Sequence, residues 1–204
     1  MFNTKEKKER ALGVKLFLKP YRCNSPKCVA VRRPTRPGIH GKARRRGASE
    51  FGSQLKEKQK IKFSYGIRER QMVNLFKESA KHTGVTGEML VRFLESRLDN
   101  VVYRLGFAPS RSVARQLVGH GHILVNGRRV TVPSYRARKS EVVSIRPQSM
   151  TNFGLKDLSE NLKKFEPPIW LELDAAKLIG KVISEPKDFE IPFDLGLVVD
   201  YYSK

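Results

Sequence analysis

RLDNVVYRLGFAPSRSVARQLVGHGHILVNGRRV, residues 97–130, is the stretch that decides the fold, because two structural periods meet in it. Its first part closes an apolar series with helical spacing, Leu90, Phe93, Leu94, Leu98, Val101, Val102 and Leu105, and Gly106 supplies a C-terminal stop. Ser110 is a good N-cap for a short helix, Arg111–Val118, which Gly119 or Gly121 ends. Val113 and Leu117 share one face of that helix, with Ala114 and Val118 adjacent. Arg111 and Arg115 share another face, beside Ser112 and Gln116. The period then falls to two: His122–Val125 and Arg128–Val132 alternate around Asn126-Gly127. Such a pair predicts a hairpin, since both central positions of its tight turn need φ > 0. Ile123, Val125, Val130 and Val132 are expected to face a core, and Glu141–Ile145 to add a third strand.

Upstream, the pattern is helical. Ala48–Ile61 places Phe51, Leu55 and Gln59 on one stripe among lysines, and Arg68–Lys81 places Met72, Leu75, Phe76 and Ala80 on one face. Gly84 and Gly87 bracket a break. Downstream, a short amphipathic helix is expected at Leu155, Leu158 and Leu162, then a Pro167-Pro168 break. Three strand-like runs follow: Ile169–Leu173, Leu178–Ser184 and Leu197–Tyr202. The first 46 residues, rich in Pro, Gly and basic side chains, read as an extended arm that becomes ordered on a partner. The expected class is therefore α+β: a helical subdomain at 47–96, with segment 162–204 packing on the body, and a mixed module with an antiparallel sheet at 97–157. The basic N-terminal arm, 1–46, precedes both.

Charge narrows the function. The chain of 204 residues carries 41 Lys and Arg against 20 Asp and Glu, a net +21. Such an excess opposes compaction, so its natural explanation is a polyanion whose counterions the protein displaces. It is concentrated in two blocks: residues 1–46 hold 15 basic and 2 acidic side chains, and residues 101–139 hold 8 basic and no acidic ones. The segment 166–204 is acidic. Two basic blocks predict nucleic-acid contact at two places, made through phosphate spacing and shape rather than base edges. A membrane is the weaker partner, since no run approaches a spanning helix. Two cysteines and no visible signal peptide suggest a cytoplasmic chain. No phosphate-binding loop, zinc-hydrolase motif or nucleophile elbow is present, so no enzyme is expected.

The same residues carry a family resemblance. RLDNVVYRLGFAPSRSVARQLVGHGHILVNGRRV resembles the S-four-type RNA-binding domain. RPGIHGKARRR, SQLKEKQKIKFSYGIRERQ and ESRLDNVVYRLGF extend the likeness to bacterial ribosomal proteins of the S-four family, over nearly the whole chain. The resemblance implies a structural constituent of the small subunit. It would bind the 5′ domain of small-subunit ribosomal RNA at a junction of several helices, early in assembly. It would neighbour ribosomal protein S-five and other small-subunit proteins near where messenger RNA enters, and support decoding accuracy. Some family members also repress their own messenger. The alternative is a free RNA-binding factor acting on ribosomes. The domain also occurs on pseudouridine synthases, but no length remains here for a catalytic domain.

By position, the resemblance implies RNA-facing roles for Arg97, Ser110, Arg111, Arg115, Gln116, His120, His122, Asn126 and Arg128. From the arm and first long helix it adds His40, Lys42, Arg44, Arg45, Arg46, Gln54 and Lys58. Asp99 and Asn100 are read as structural, orienting backbone near Arg104. Many relatives carry a four-cysteine zinc site. Here Cys23 and Cys28 form only half of one, and Glu6 and Glu9 stand where the earlier pair would be, with His40 a conceivable further ligand. Thiolate and imidazole suit structural zinc better than carboxylate, so no cofactor is expected.

Overall fold

The computed structural model describes residues 4–43, 47, 49–149, 158, 162, 165–187 and 192–203. The chain divides into two compact units, Met1–Leu90 with Ile191–Lys204, and Val91–Glu190. Helices occur in both units and a five-stranded antiparallel sheet in the second, the α+β class expected.

The first unit does not open as an extended arm. It contains α1 (Thr4–Leu12), the single turns α2 (Pro20–Cys23) and α3 (Val29–Arg32), and a 3₁₀ turn at Ile39–Lys42. Side chains of α1 bind the backbone of the loops that follow, which the composition alone does not reveal. Next come α4 (Glu50–Ser64), N-capped by Ser49, whose hydroxyl accepts from the Gly52 N–H at 3.1 Å, and α5 (Glu69–Ser79). On α5 the predicted face is buried through Met72, Leu75 and Phe76, but Ala80, expected on it, is exposed at the helix's C-cap and Ser79 is buried instead. On α4 the buried stripe is Gln54, Lys58 and Ile61, not Phe51, Leu55 and Gln59. Phe51 is largely exposed, its ring tilted against that of Tyr201 at a centroid distance of 5.7 Å.

The reason lies in α9 (Leu195–Ser203), which packs along α4. Here the expected strand Leu197–Tyr202 is a helix. Its β-branched and aromatic residues suit a strand, but Asp194 caps it, with Oδ1 accepting from the Leu197 N–H at 3.2 Å. The helix then lays Tyr201 and Tyr202 over α4, where polar partners await. Lys58 Nζ donates to Glu69 Oε1 at 2.8 Å, Lys62 Nζ to Glu69 Oε2 at 2.6 Å, and the Tyr202 hydroxyl to Glu69 Oε1 at 2.9 Å. The Lys58 ammonium also lies 4.5 Å from the Tyr201 ring centroid. Burial alone pushes the Glu69 carboxyl up, but the hydrogen bonds from Lys58, Lys62 and Tyr202 outweigh it and hold the group at about 2.

In the second unit, the apolar series 90–105 is two helices, α6 (Thr86–Glu95, entering from the first unit in sequence) and α7 (Leu98–Arg104), separated by a bridge between Arg97 and Arg136. Gly106 (φ +77°) ends α7, and the Phe107 N–H donates to the Val102 carbonyl at 3.1 Å. Then come α8 (Arg111–Gly119), β1 (Ile123–Val125), β2 (Arg128–Arg129), β3 (Val142–Ile145), β4 (Leu171–Asp174) and β5 (Ile179–Val182). The strand order is β2-β1-β3-β5-β4. Asn126 and Gly127 turn the first hairpin with φ of +49° and +77°, pairing Val125 with Arg128. The core gathers Leu98, Val101, Val102 and Leu105 of α7, Ala114 and Val118 of α8, and Ile123, Val125, Val143, Ile145 and Val182 of the sheet. Val132, expected there, is 54% exposed, because β2 ends at Arg129 and the chain leaves the sheet towards Pro133. Leu158 and Leu162 of the predicted tail helix are buried in this core, whereas Leu155 lies outside the described residues.

Two outcomes follow for stability. A Cβ at Gly180 of β5 would lie 2.4 Å from Leu105 Cδ1, whose side chain is wholly buried. Gly180→Ala should therefore cost about 1–3 kcal/mol in urea unfolding. Glu69 is depressed in the folded chain from an ordinary 4.5. Its stabilisation is thus complete above about pH 4.5 and lost as pH falls towards 2. The gap in urea midpoint between native protein and Glu69→Gln should accordingly be widest near neutrality and shrink between pH 4.5 and 2.

Candidate nucleic-acid interface

The site grows from two buried acids. Asp99 opens α7 and is 3% exposed, and Glu95 ends α6 at 1%. Each is surrounded by arginine. Arg97 grips Asp99 with two parallel bonds, Nε to Oδ1 at 3.0 Å and NH2 to Oδ2 at 2.9 Å. Arg115, reaching over from α8, adds Nε and NH2 to Oδ2 at 3.1 and 2.8 Å. Glu95 receives Arg104 through both oxygens, at 2.9 and 2.8 Å. It also accepts from Asn100 Nδ2 at 2.7 Å. Asn100 in turn accepts from Arg111 Nε at 2.7 Å, and the Arg111 guanidinium sits 4.6 Å from the Tyr103 ring centroid.

Four guanidiniums thus meet two carboxylates, leaving a surplus of two positive charges. Arg97 is buried, but the side chains of Arg104, Arg111 and Arg115 are 33%, 18% and 36% exposed. These cations are positioned at the surface by acids hidden beneath it. Planar guanidiniums held in this way lose little further freedom on meeting phosphate. Asp99 and Asn100 do orient their surroundings as expected of structural residues, but they act on arginine side chains rather than only on backbone.

The α8 N-terminus and the hairpin carry the other candidate residues of this unit. Ser110 caps α8 by accepting from the Val113 N–H at 3.4 Å, while Gln116 and His120 are exposed. Gly121 takes a positive φ (+77°), and a Cβ there would fall 2.2 Å from Arg129 Nε. Arg129 therefore lies across the His120–His122 turn. The two imidazole centroids are 6.0 Å apart, and His122 Nδ1 is 2.9 Å from Ser149 Oγ. Asn126 Oδ1 accepts from the Val142 N–H at 2.9 Å, tying the hairpin to β3, and Arg128 is exposed beside it. Between Arg104 and Lys139 the chain has no acidic residue, so nothing in that segment competes with an anion for these groups.

In the first unit, His40 and Lys42 lie exposed on the 3₁₀ turn. Gln54 and Lys58 are buried at 1% and 4%, with Gln54 Nε2 donating to Glu50 and Lys58 committed to Glu69 and Tyr201. Arg44, Arg45 and Arg46 lie outside the described residues. Sequence reasoning left out Glu95 and Arg104 as parts of the site, although the hairpin already set Arg129 beside Arg128. Glu95 reads as the polar end of an amphipathic helix, and no spacing rule betrays a buried acid. The one available signal was that Glu95 and Asp99 are the last acids before an acid-free stretch.

A zinc site does not fit the residues present. Glu6, Glu9, Cys23 and Cys28 line one small cavity, but Arg10, Lys15 and Arg22 line it too. Glu9 Oε1 already accepts from the Leu16 and Leu18 N–H groups, and no set of three His, Cys, Asp or Glu among the described residues is placed to hold a metal ion.

Residues 2–95 match the family model described as the Ribosomal protein S4/S9 N-terminal domain, and residues 96–143 match that of the S4 domain. The chain is 49% identical over 197 residues to the small ribosomal subunit protein uS4 of Thermus thermophilus, covering 96% of this chain and 94% of that one. The proteins of the same name from Caldicellulosiruptor bescii and Gloeobacter violaceus are 47% and 46% identical over the same shares. With the arginine-lined α7–α8 face sitting inside the matched S4 domain, and near-complete coverage on both sides, the chain belongs to the small ribosomal subunit protein uS4 family.

Proposed function

We propose that this chain is a structural constituent of the small ribosomal subunit that binds small-subunit ribosomal RNA through the arginines seated on Glu95 and Asp99. One observation carries the reading: buried carboxylates hold partly exposed guanidiniums on a surface whose neighbouring segment is free of acid. A general polyanion binder needs only charge, whereas this arrangement fixes the spacing of its charges. Fixed spacing suits a folded RNA with phosphates converging from several helices. The family's name supports the partner. The resemblance supplies the finer reading: contact with a multi-helix junction of the 5′ domain, a part in nucleating assembly, ribosomal protein S-five as neighbour, messenger RNA nearby and a cytoplasmic location. The chemistry is binding, not catalysis.

Binding to purified small-subunit RNA across a salt series tests this. Arg111→Ala with Arg115→Ala should weaken site-specific affinity by about tenfold per arginine, and flatten the salt slope by up to about two phosphates. Unchanged affinity, or equal binding to any duplex of the same length, would overturn the assignment. Asp99→Asn sets two effects against each other. It raises net charge by one, which by electrostatics alone strengthens RNA binding. It also releases Arg97 and Arg115, which by lost positioning weakens it, and costs about 3–5 kcal/mol of stability. Under conditions where circular dichroism shows the variant folded, weaker specific binding is expected. Stronger specific binding would show that charge, not placement, governs the face.

A further inference from the structure

We propose that residues 4–43 hold their fold without a metal, and that Glu6, Glu9 and Arg10 of α1 provide the cross-links that zinc supplies in relatives with two cysteine pairs. These three residues fall at i, i+3 and i+4, on one face of one helix. Each reaches a different part of the chain. Glu9 Oε1 accepts from the backbone N–H of Leu16 at 3.0 Å and of Leu18 at 3.2 Å, closing the turn that contains Gly13 and Phe17, both at positive φ. Glu6 Oε1 lies 3.1 Å from Arg22 Nε, as an ion pair without hydrogen-bond alignment. Arg10 donates from Nε to the Thr35 carbonyl at 2.9 Å and from NH2 to the Arg36 carbonyl at 3.2 Å. Gly41 backs onto that same Arg36 carbonyl, where a Cβ would fall within 2.1 Å of the oxygen. One helix face therefore clamps segments around residues 16, 22 and 36.

A structural zinc joins distant segments in the same topological sense, and the two devices exclude one another here. The Glu9 oxygen facing the loop is engaged by two amides. The Glu6 carboxylate stands beside a permanent guanidinium charge that would repel a divalent cation. Glu6 and Glu9 are 8% and 7% exposed, so both carboxylates are buried and need these partners. Cys28, 4% exposed at the start of α3, packs as a small apolar residue. In a zinc-organised segment folding and metal binding are one event, so chelation unfolds it. In this chain chelation should change nothing.

The test begins with the full-length protein from zinc-supplemented cells. Elemental analysis should find zinc well below about one atom per chain, and excess chelator should leave the melting midpoint unmoved. One zinc per chain, or a midpoint lowered by chelator, overturns the proposal. Glu9→Ala should accelerate hydrogen exchange of the Leu16 and Leu18 amides by at least about tenfold while that of Ile123 is unchanged. Unaltered protection at Leu16 and Leu18 also overturns it. Because Glu9→Ala could unravel the whole segment, the paired change Glu6→Cys with Glu9→Cys gives an independent readout. It completes a C-x2-C and C-x4-C set around the cavity and should bind about one zinc per chain, measured by competition with a colorimetric chelator. Failure of that variant to bind zinc would show that Glu6 and Glu9 do not occupy the metal's corners.

Discussion

The pairing of Arg97 and Arg115 on the Asp99 carboxylate is the interaction on which the α7–α8 face depends. A carboxylate that is 3% exposed is costly to bury without partners, and so is a guanidinium that is 4% exposed. Neither residue is tolerable alone at this place. Together with Arg115 they become a fixed joint between the start of α7 and the side of α8. Such a joint is poor evidence for stability, because a well-packed apolar pair would serve a fold at least as well. What an apolar pair cannot do is leave an exposed cation in a defined place. The retention of charge at a buried position is thus explained by the surface above it.

Glu95 repeats the arrangement one turn of chain earlier, and the turns around it keep both in register. Gly106 stops α7 where its Arg104 can still fold back onto Glu95. A Cβ at Gly106 would also come within 2.7 Å of Leu162 Cδ2, so that stop is held from the core side as well. Gly121 admits the Arg129 side chain, and Asn126 locks the hairpin to β3 with both its backbone and its side chain. The path of the backbone, fixed at a few residues with positive φ, brings side chains distant in sequence to one surface.

How much of this could be read beforehand depended on whether the cause was local. Hairpin, α8 and its cap were legible because Asn-Gly geometry, Ser capping and the change of period are properties of short windows. The helix at Leu197–Tyr202 was not, because its strand-forming side chains, Val198 wholly and the tyrosines partly buried, pack against α4, a partner about 140 residues away in sequence. The same distant contact inverted the buried face of α4. Lys58 reads as a solvated lysine until Glu69, Tyr201 and Tyr202 are placed around it. Among the candidate interface residues, types and approximate positions were visible in the acid-free run from Arg104 to Lys139. Their mutual placement was not, since it is imposed by Glu95 and Asp99, which lie outside that run and carry no distinguishing pattern.

The scarce acids of this basic chain therefore have a common use. In the first unit, Glu69 gathers Lys58, Lys62 and Tyr202, and in the second, Glu95 and Asp99 gather four arginines. A chain with a net charge of +21 repels itself, and random neutralisation would relieve that repulsion only by weakening its attraction for RNA. Burying Glu95 and Asp99, unlike the part-exposed Glu69, separates the two effects. Each carboxylate offsets repulsion between neighbouring cations at short range, inside the protein, where the interaction is least screened. Above them, the side chains of Arg104, Arg111 and Arg115 stay partly open to solvent, whereas Arg97 is buried. The two buried acids thus offset repulsion among the arginines while fixing where those arginines sit, and it is their depth, more than their number, that lets them do both.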